Sequence, residues 1–383
     1  MNNLNDERSG FVAGIPEAVP DAAPQTSGAA SQSHHSPAKR SLYLTDAVRH
    51  GILLMILIVL SLTLFGLLLW RLQPQRETPL LYSLSSLQTI ALSSSKGAEP
   101  SVTAVDAQIP QTRGDGTEVS IPVTYVLPQQ TDAPVPLVVY CHGFTGNRQG
   151  DGHFLPLAQR LAQNGIACVS LDFPGNGDSA EPFTAYTLQN MLSDLDCVIH
   201  YLCQNYPIRS DRIGLVGHSM GGRIVSLSLK DSIAAAALWS PANNNALQGL
   251  EFIDHDPEAL SRLQAQARQD GSVLAWNVPI SSQFIEEMAA SDPWSAISQY
   301  QNPLLIAFAG QDTELLSQDT IDGTLSAAEN RGVPFTNLTD QFANATHNYT
   351  APPDSPAFDM LDDSIRNAIE SATADFFCQA LLS

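Results

Sequence analysis

Two hydrophobic patterns alternate from about residue 101 to the C-terminus. Segments 101–111 and 118–127 alternate apolar and polar residues, and the turn signal Arg113-Gly114-Asp115-Gly116 between them predicts a hairpin. Residues 135–140, 234–239 and 304–309 are continuous apolar runs, which are typical of strands covered on both faces, and we predict further strands over 166–173 and 212–218. Helical patterns occupy 154–163, 187–205, 220–230 and 359–382. Because strands alternate with helices, we expect an α/β fold with a mostly parallel sheet.

One stretch interrupts this rhythm. Residues 243–300 contain helical pieces and the turn Asp270-Gly271 but no run like those of the buried strands. An insertion at this place lies above the strand ends, so we expect a small cap.

A different pattern precedes the domain. Residues 51–70 carry no charge, and about 20 apolar residues cross the ~30 Å hydrocarbon core of a bilayer. A buried core helix would show polar positions at helical spacing, and a signal peptide would have a short leading region and a cleavage site. We therefore predict a retained single-pass transmembrane anchor over 49–71, after a disordered tail (1–48) and before a juxtamembrane linker (72–100).

Basic residues flank this span with a small excess on its N-terminal side: Lys39, Arg40 and Arg49 before it, Arg71 and Arg76 after it. The positive-inside rule then predicts a cell-membrane protein whose domain, residues 101–383, lies on the extracytoplasmic side.

Charge and cysteine content limit the partners. The formal net charge of −21 repels phosphate backbones, so we expect no nucleic-acid partner. The five cysteines show no metal-type spacing, and we predict no metal and no cofactor. Cys141 and Cys168 fall in predicted strands and should be buried thiols. Cys197 and Cys203 face different ways on one predicted helix, so we expect no disulfide between them.

The strongest local motif is Gly217-His218-Ser219-Met220-Gly221, placed between a predicted strand and a predicted helix. In a nucleophile elbow the serine sits on a sharp, costly turn, and glycines at 217 and 221 let strand and helix approach each other. The helix N-terminus favours a developing anion near Ser219. The alternative is a structural turn without chemistry.

A nucleophilic serine needs a base, an orienting acid and an oxyanion hole. The pair His142-Gly143 follows a strand, so we expect the amides of Phe144 and Met220 to face a substrate carbonyl. Asp312 follows the run 304–309, where an acid belongs in the order Ser, Asp, His; the alternatives are a helix cap, or Asp340 as the acid. His347 is the only histidine after Asp312, so chain order selects it as the base.

These motifs together resemble the α/β-hydrolase superfamily, most closely the group of cinnamoyl and feruloyl esterases and monoacylglycerol-lipase-like enzymes. The residues that carry the resemblance are His142-Gly143-Phe144-Thr145-Gly146, Asp172-Phe173-Pro174-Gly175-Asn176-Gly177-Asp178-Ser179, Gly217-His218-Ser219-Met220-Gly221-Gly222, Gly310-Gln311-Asp312 and Thr346-His347-Asn348. The resemblance implies an eight-stranded sheet with flanking helices. It also implies Ser219 as nucleophile, His347 as base and Asp312 as its orienting acid, with Phe144 and Met220 as oxyanion donors.

Three functional hypotheses follow. The first is a membrane-anchored hydrolase that cleaves small carboxylic esters through an acyl-enzyme. The second is a serine peptidase or amidase, in which acidic residues of the cap capture a substrate amine: Glu251, Asp254, Asp256, Glu286 and Glu287. The third is a non-catalytic binding protein on the same scaffold, which a missing triad member would favour.

Overall fold

The computed structural model describes residues 103–129, 133–312, 314–351 and 364–383. The predicted tail, anchor and linker lie outside these ranges, so they stay predictions. Among the helices inside these ranges, none combines the length and apolar character that crossing a bilayer requires.

An eight-stranded sheet forms the centre of the described residues, in the order β1-β2-β4-β3-β5-β6-β9-β10. Its strands are β1 (Ala104–Thr112), β2 (Glu118–Val126), β3 (Val135–Cys141), β4 (Ala167–Leu171), β5 (Ile208–His218), β6 (Ile233–Trp239), β9 (Leu304–Ala307) and β10 (Thr336–Asn337). Strands β7 (Ser272–Ala275) and β8 (Val278–Ser281) form a separate hairpin. The β1–β2 and β2–β4 pairs are antiparallel and the remaining pairs of the large sheet are parallel.

Eight α-helices accompany these strands within the described ranges. They are α1 (Phe154–Gln163), α2 (Leu188–Asn205), α3 (Met220–Leu227), α4 (Pro257–Asp270), α5 (Ser282–Ala290), α6 (Pro293–Gln299), α7 (Gln318–Glu329) and α8 (Ser364–Leu382). Capping side chains start several of them: Thr187 accepts a hydrogen bond from the amide of Asn190 before α2, and Ser281 accepts one from Phe284 before α5.

Apolar layers cover both faces of the sheet. Successive strand residues point to opposite faces, so Val138 belongs to one buried cluster and Val139 to the other. Strand β5 divides in the same way: Val216 lies in the cluster of Val138, and Leu215, which pairs with Val139, lies in the other cluster. All seven residues of β3 are buried, which explains why its sequence is a continuous apolar run.

The predicted α/β fold with a mostly parallel sheet is confirmed, and so is the hairpin of β1 and β2. Three elements were not predicted: the β7–β8 hairpin, helix α7 and the two-residue strand β10. Strand β5 begins at Ile208, earlier than predicted, and α3 ends at Leu227 rather than at residue 230. All five cysteines are free, with Cys141 and Cys168 buried as expected.

Candidate active site

Ser219 occupies the sharp turn between β5 and α3. Its backbone angles are φ 55° and ψ −118°, a left-handed geometry that is costly for a residue with a Cβ. Backbone hydrogen bonds hold the turn in place: the amide of Ser219 donates to the carbonyl of Trp239 (2.9 Å), and the carbonyl of Ser219 accepts from Ala242 (3.0 Å). Strand β6 and the residues that follow it thus hold the strained turn, which places the serine at the end of β5.

Three glycines make this geometry possible. A Cβ on Gly217 would lie 2.3 Å from the carbonyl oxygen of Gly221, and a Cβ on Gly221 would lie 2.0 Å from that of Cys141. A Cβ on Gly143 would lie 3.2 Å from the Cβ of Ser219. The strand and the helix therefore meet at distances that only glycine permits, and a Cβ on Gly143 would crowd Ser219.

Asp312 and His347 lie together beside this turn. The Nδ1 of His347 donates a hydrogen bond to the Oδ2 of Asp312, whose side chain is only 3% exposed. Because the carboxylate accepts the Nδ1 proton, the Nε2 of neutral His347 is left with a free lone pair. Asp340, the alternative acid, is exposed in the 3-10 turn Thr339–Phe342. The structure thus brings Asp312 to His347.

The loop of Asp312 is attached to the loop of His347 through their backbones. The amide of Gly310 donates to the carbonyl of Phe342 (2.9 Å), and that of Gln311 donates to Ala345 (2.9 Å). A Cβ on Gly310 would lie 2.4 Å from the carbonyl oxygen of Ala343, so the two loops touch. Acid and base are far apart in the chain, and this contact sets their distance.

Two buried histidines form hydrogen bonds to the backbone of the loops around Ser219. The sequence did not predict this role. His218 Nε2 donates to the carbonyl of His347 (2.9 Å). His142 Nε2 accepts from the amide of Phe173 (3.1 Å), so its Nδ1 is protonated and donates to the carbonyl of Gly143 (2.7 Å). Burial lowers the pKa of both imidazoles, and the nearby His347 lowers that of His218 further. Both are therefore neutral single-proton donors at physiological pH.

A cleft of about 230 Å³ opens above Ser219. Ser219 and His347 line it together with the predicted oxyanion residues Phe144 and Met220. Within the described ranges the amide of Phe144 donates no hydrogen bond, and Met220 is the first residue of α3, where helical amides have no partner within the helix. Both amides are thus available to a ligand oxygen.

Aromatic side chains form the apolar wall of the cleft. Phe252, Trp276 and Leu315 line it alongside Phe144. The ring of Phe144 contacts those of Phe252 and Trp276 at centroid distances of 5.0 and 5.7 Å. Phe252 precedes α4 and Trp276 joins β7 to β8, so the segment 243–300 supplies one side of the site.

The described side chains contain no group of three or more His, Cys, Asp or Glu residues placed to hold a metal ion.

Comparison with known proteins bears on the family and the fold of the chain. A model of the family described as serine aminopeptidase, S33, matches residues 132–321. No curated protein matches the sequence. Among solved structures, Est1E from Butyrivibrio proteoclasticus with ferulic acid bound is 19% identical, with a TM-score of 0.52 over 72% of this chain and 100% of that one.

A second solved structure is the α/β hydrolase GrgF from Penicillium sp. sh18. It is 16% identical, with a TM-score of 0.51 over 73% of this chain and 99% of that chain. At such identities the likeness concerns the fold, which is the one that the strand order and the elbow define. The family match over residues 132–321 and the likeness of fold support an α/β-hydrolase serine hydrolase of the carboxylesterase-like kind.

Proposed function

We propose that the protein hydrolyses carboxylic esters of small substrates through an acyl-enzyme, with Ser219 as nucleophile, His347 as base and Asp312 as the acid that orients the base. The observation that carries this proposal is the hydrogen bond from His347 Nδ1 to Asp312 in a cleft that also contains Ser219. A carboxylate on Nδ1 fixes the tautomer in which Nε2 can accept the serine proton.

The chemistry then follows the usual course of acyl transfer. His347 Nε2 takes the proton of Ser219 as its oxygen attacks the ester carbon, and the amides of Phe144 and Met220 stabilise the negative oxygen. The imidazolium of His347 gives its proton to the leaving alcohol, which departs. Water then attacks the acyl-enzyme with His347 again as base, and the carboxylic acid leaves while the proton returns to Ser219.

The cleft supports a small substrate with an apolar or aromatic part. Its volume of about 230 Å³ falls below the roughly 300–1,000 Å³ that is usual for sites of drug-sized ligands. The wall of Phe144, Phe252 and Trp276 offers ring faces and edges to an acyl group. We therefore favour short or aromatic acyl groups over long aliphatic chains.

The description of the matching family favours a second candidate, an aminopeptidase. Such an enzyme needs a carboxylate that binds the substrate amine. The predicted acids of the cap already have partners. Glu251 is buried against Thr320 and Asn244, and Glu286 forms an ion pair with Arg268. The other three carboxylates accept hydrogen bonds from backbone amides: Glu287 from Gln189, Asp254 from Asp256, and Asp256 from Glu258. Asp151 is the acid that lines the cleft, so it would have to serve.

One experiment tests the proposal against this alternative. We expect the full-length protein to hydrolyse p-nitrophenyl acetate and butyrate, and to leave aminoacyl p-nitroanilides intact. Ser219→Ala should lower kcat by about 10⁴-fold or more, and His347→Ala by a comparable factor, because triad members act as a unit. Labelling by a fluorophosphonate probe should disappear in Ser219→Ala, while the melting temperature stays near that of the wild type.

Other results would contradict the proposal. Persistent labelling of Ser219→Ala moves the nucleophile elsewhere. Nitroanilide cleavage that Asp151→Asn abolishes, without ester cleavage, favours the aminopeptidase. Binding of esters without turnover favours the non-catalytic protein.

We further propose that residues 51–70 hold this enzyme in the cell membrane with its catalytic domain on the extracytoplasmic side. The support is the uncharged run itself and the small excess of Lys and Arg before it.

A further inference from the structure

Three consecutive residues of the loop that carries the proposed base each form a hydrogen bond with a different element. The carbonyl of His347 accepts from His218 Nε2 (2.9 Å), and the carbonyl of Asn348 accepts from His153 Nε2 (2.8 Å). The hydroxyl of Tyr349 donates to the carbonyl of Ala307 in β9 (2.7 Å). His218 ends β5 and Ala307 ends β9, whereas His153 directly precedes α1.

His153 reaches the loop from the start of α1 and is supported from α8. Its Nδ1 lies 2.9 Å from Glu370 Oε1, and both side chains are 1% exposed. The imidazole also packs edge-on against Trp239 at a centroid distance of 5.4 Å. Glu370, His153 and Asn348 thus form a chain of hydrogen bonds from the C-terminal helix to the residue after His347.

The hydrogen bonds from Glu370 through His153 to Asn348 require two protons. A carbonyl oxygen only accepts, so His153 Nε2 carries a hydrogen that points at Asn348. A second proton lies between Nδ1 and Glu370, either on the imidazole or on the carboxyl group. In both states the pair carries no net charge, and the Nε2–H donor toward Asn348 is preserved.

Burying this pair has a cost that packing alone does not explain. Glu370 Oε2 has no hydrogen-bond partner among the described residues. A buried acid with one free oxygen is less favourable than an apolar side chain of similar volume. The His153–Glu370 pair provides a directed hydrogen bond to Asn348, which an apolar side chain could not provide.

We propose that His153 is a positioning residue for His347: it fixes the base loop through the Asn348 carbonyl, and Glu370 sets its orientation. The inference rests on the proposed role of His347 as base. It adds to the triad a buried His–Glu pair that does not touch the substrate.

The two bonds of His153 can be separated by two substitutions. The amide of glutamine can replace Nε2, so His153→Gln keeps the donor to Asn348 and loses the bond to Glu370. Asparagine reaches only the position of Nδ1, so His153→Asn keeps the bond to Glu370 and loses the one to Asn348. The pair of variants is matched in chemistry and differs in which bond survives.

We expect kcat for p-nitrophenyl acetate to fall about 10- to 100-fold in His153→Asn, because a base displaced by about 1 Å can lose a factor of that order. KM should change less than about threefold, since the same displacement leaves the cleft wall intact. His153→Gln should keep kcat within about threefold, even where its melting temperature falls as far as that of His153→Asn. Amide hydrogen exchange of residues 346–350 should accelerate in His153→Asn only.

Glu370→Gln provides a further variant in case a His153 variant does not fold. Its amide can donate to His153 Nδ1, which leaves Nε2–H for Asn348, so kcat should be retained. Equal kcat values in the two His153 variants, or a loss of kcat in Glu370→Gln at unchanged melting temperature, would overturn the positioning role. His347→Ala separates this from the proposed function: near-normal turnover there contradicts the base assignment itself.

Discussion

Neutral buried histidines distinguish this site at the scale of single residues. His142 and His218 both donate to backbone carbonyls of the loops around Ser219, at Gly143 and at His347. Burial keeps the pKa of each below the ordinary value of 6.5. In the unfolded chain the same side chains regain the ordinary pKa, so the two states bind different numbers of protons in mild acid.

This difference predicts a loss of stability in mild acid. Below pH 6.5 these histidines bind a proton in the unfolded state but stay neutral in the folded state. The free energy of unfolding therefore falls as pH falls, by at most about 1.4 kcal/mol per pH unit for each histidine. Urea unfolding at pH 7.5 and 5.5 measures the fall. His218→Gln keeps a donor toward His347 but does not titrate, so its fall should be smaller. An equal fall in both proteins would contradict the assignment to His218.

The hairpin of β7 and β8 is the most informative single element. Its turn residues Trp276 and Asn277 have φ values of 50° and 61°, the left-handed pair that a two-residue hairpin turn requires. Such turns favour Asn and Gly, so tryptophan at this position is strained. The turn holds an indole that is 46% exposed against Phe144 and Phe252 at the cleft. The element therefore positions a large aromatic surface at the cleft that contains Ser219.

Removing this indole should change selectivity rather than chemistry. In Trp276→Ala we expect KM for the p-nitrophenyl ester of 3-phenylpropionic acid to rise about three- to tenfold, the equivalent of the roughly 0.5–1.5 kcal/mol of an aromatic pair. KM for p-nitrophenyl acetate should barely change, because a methyl group does not reach the indole. Leu274→Ala is the control, since Leu274 is 75% exposed on the same hairpin and does not line the cleft. A similar rise of KM for both esters would argue against an aromatic acyl subsite.

The whole molecule combines a strongly acidic chain with one uncharged apolar run. A net charge of −21 opposes adsorption to anionic surfaces, so electrostatics would not keep this protein at a membrane. We therefore propose that the apolar run 51–70 supplies the membrane attachment.

We expect alkaline carbonate to leave the full-length protein in the membrane fraction, and to release a variant that lacks residues 49–71. Protease added to intact cells should remove the catalytic domain and spare the tail 1–48. Complete extraction of the full-length protein by carbonate is incompatible with a span. A protease-resistant domain in intact cells reverses the topology.

Local patterns in the sequence were enough for the architecture. The apolar run of β3 and the motif around Ser219 each contain their own signal, because a strand buried on both faces must be apolar and a strained elbow must have glycines around it. Helix α1 was predicted with its observed bounds, since Asn164-Gly165 ends it. The β7–β8 hairpin was missed because Trp276-Asn277 is a poor turn sequence that surrounding contacts hold in place.

What the sequence by itself determined is the fold, the elbow serine and, through chain order, His347 and Asp312 as candidates for base and acid. Only the tertiary structure brought His347 to Asp312, because the loops that carry them meet through backbone contacts at Gly310. It alone identified His153 and Glu370 as partners, since side chains 217 residues apart leave no local pattern. The spacing of apolar residues in a segment indicates which of its side chains face the core. The contact between two loops depends instead on how the whole sheet is assembled.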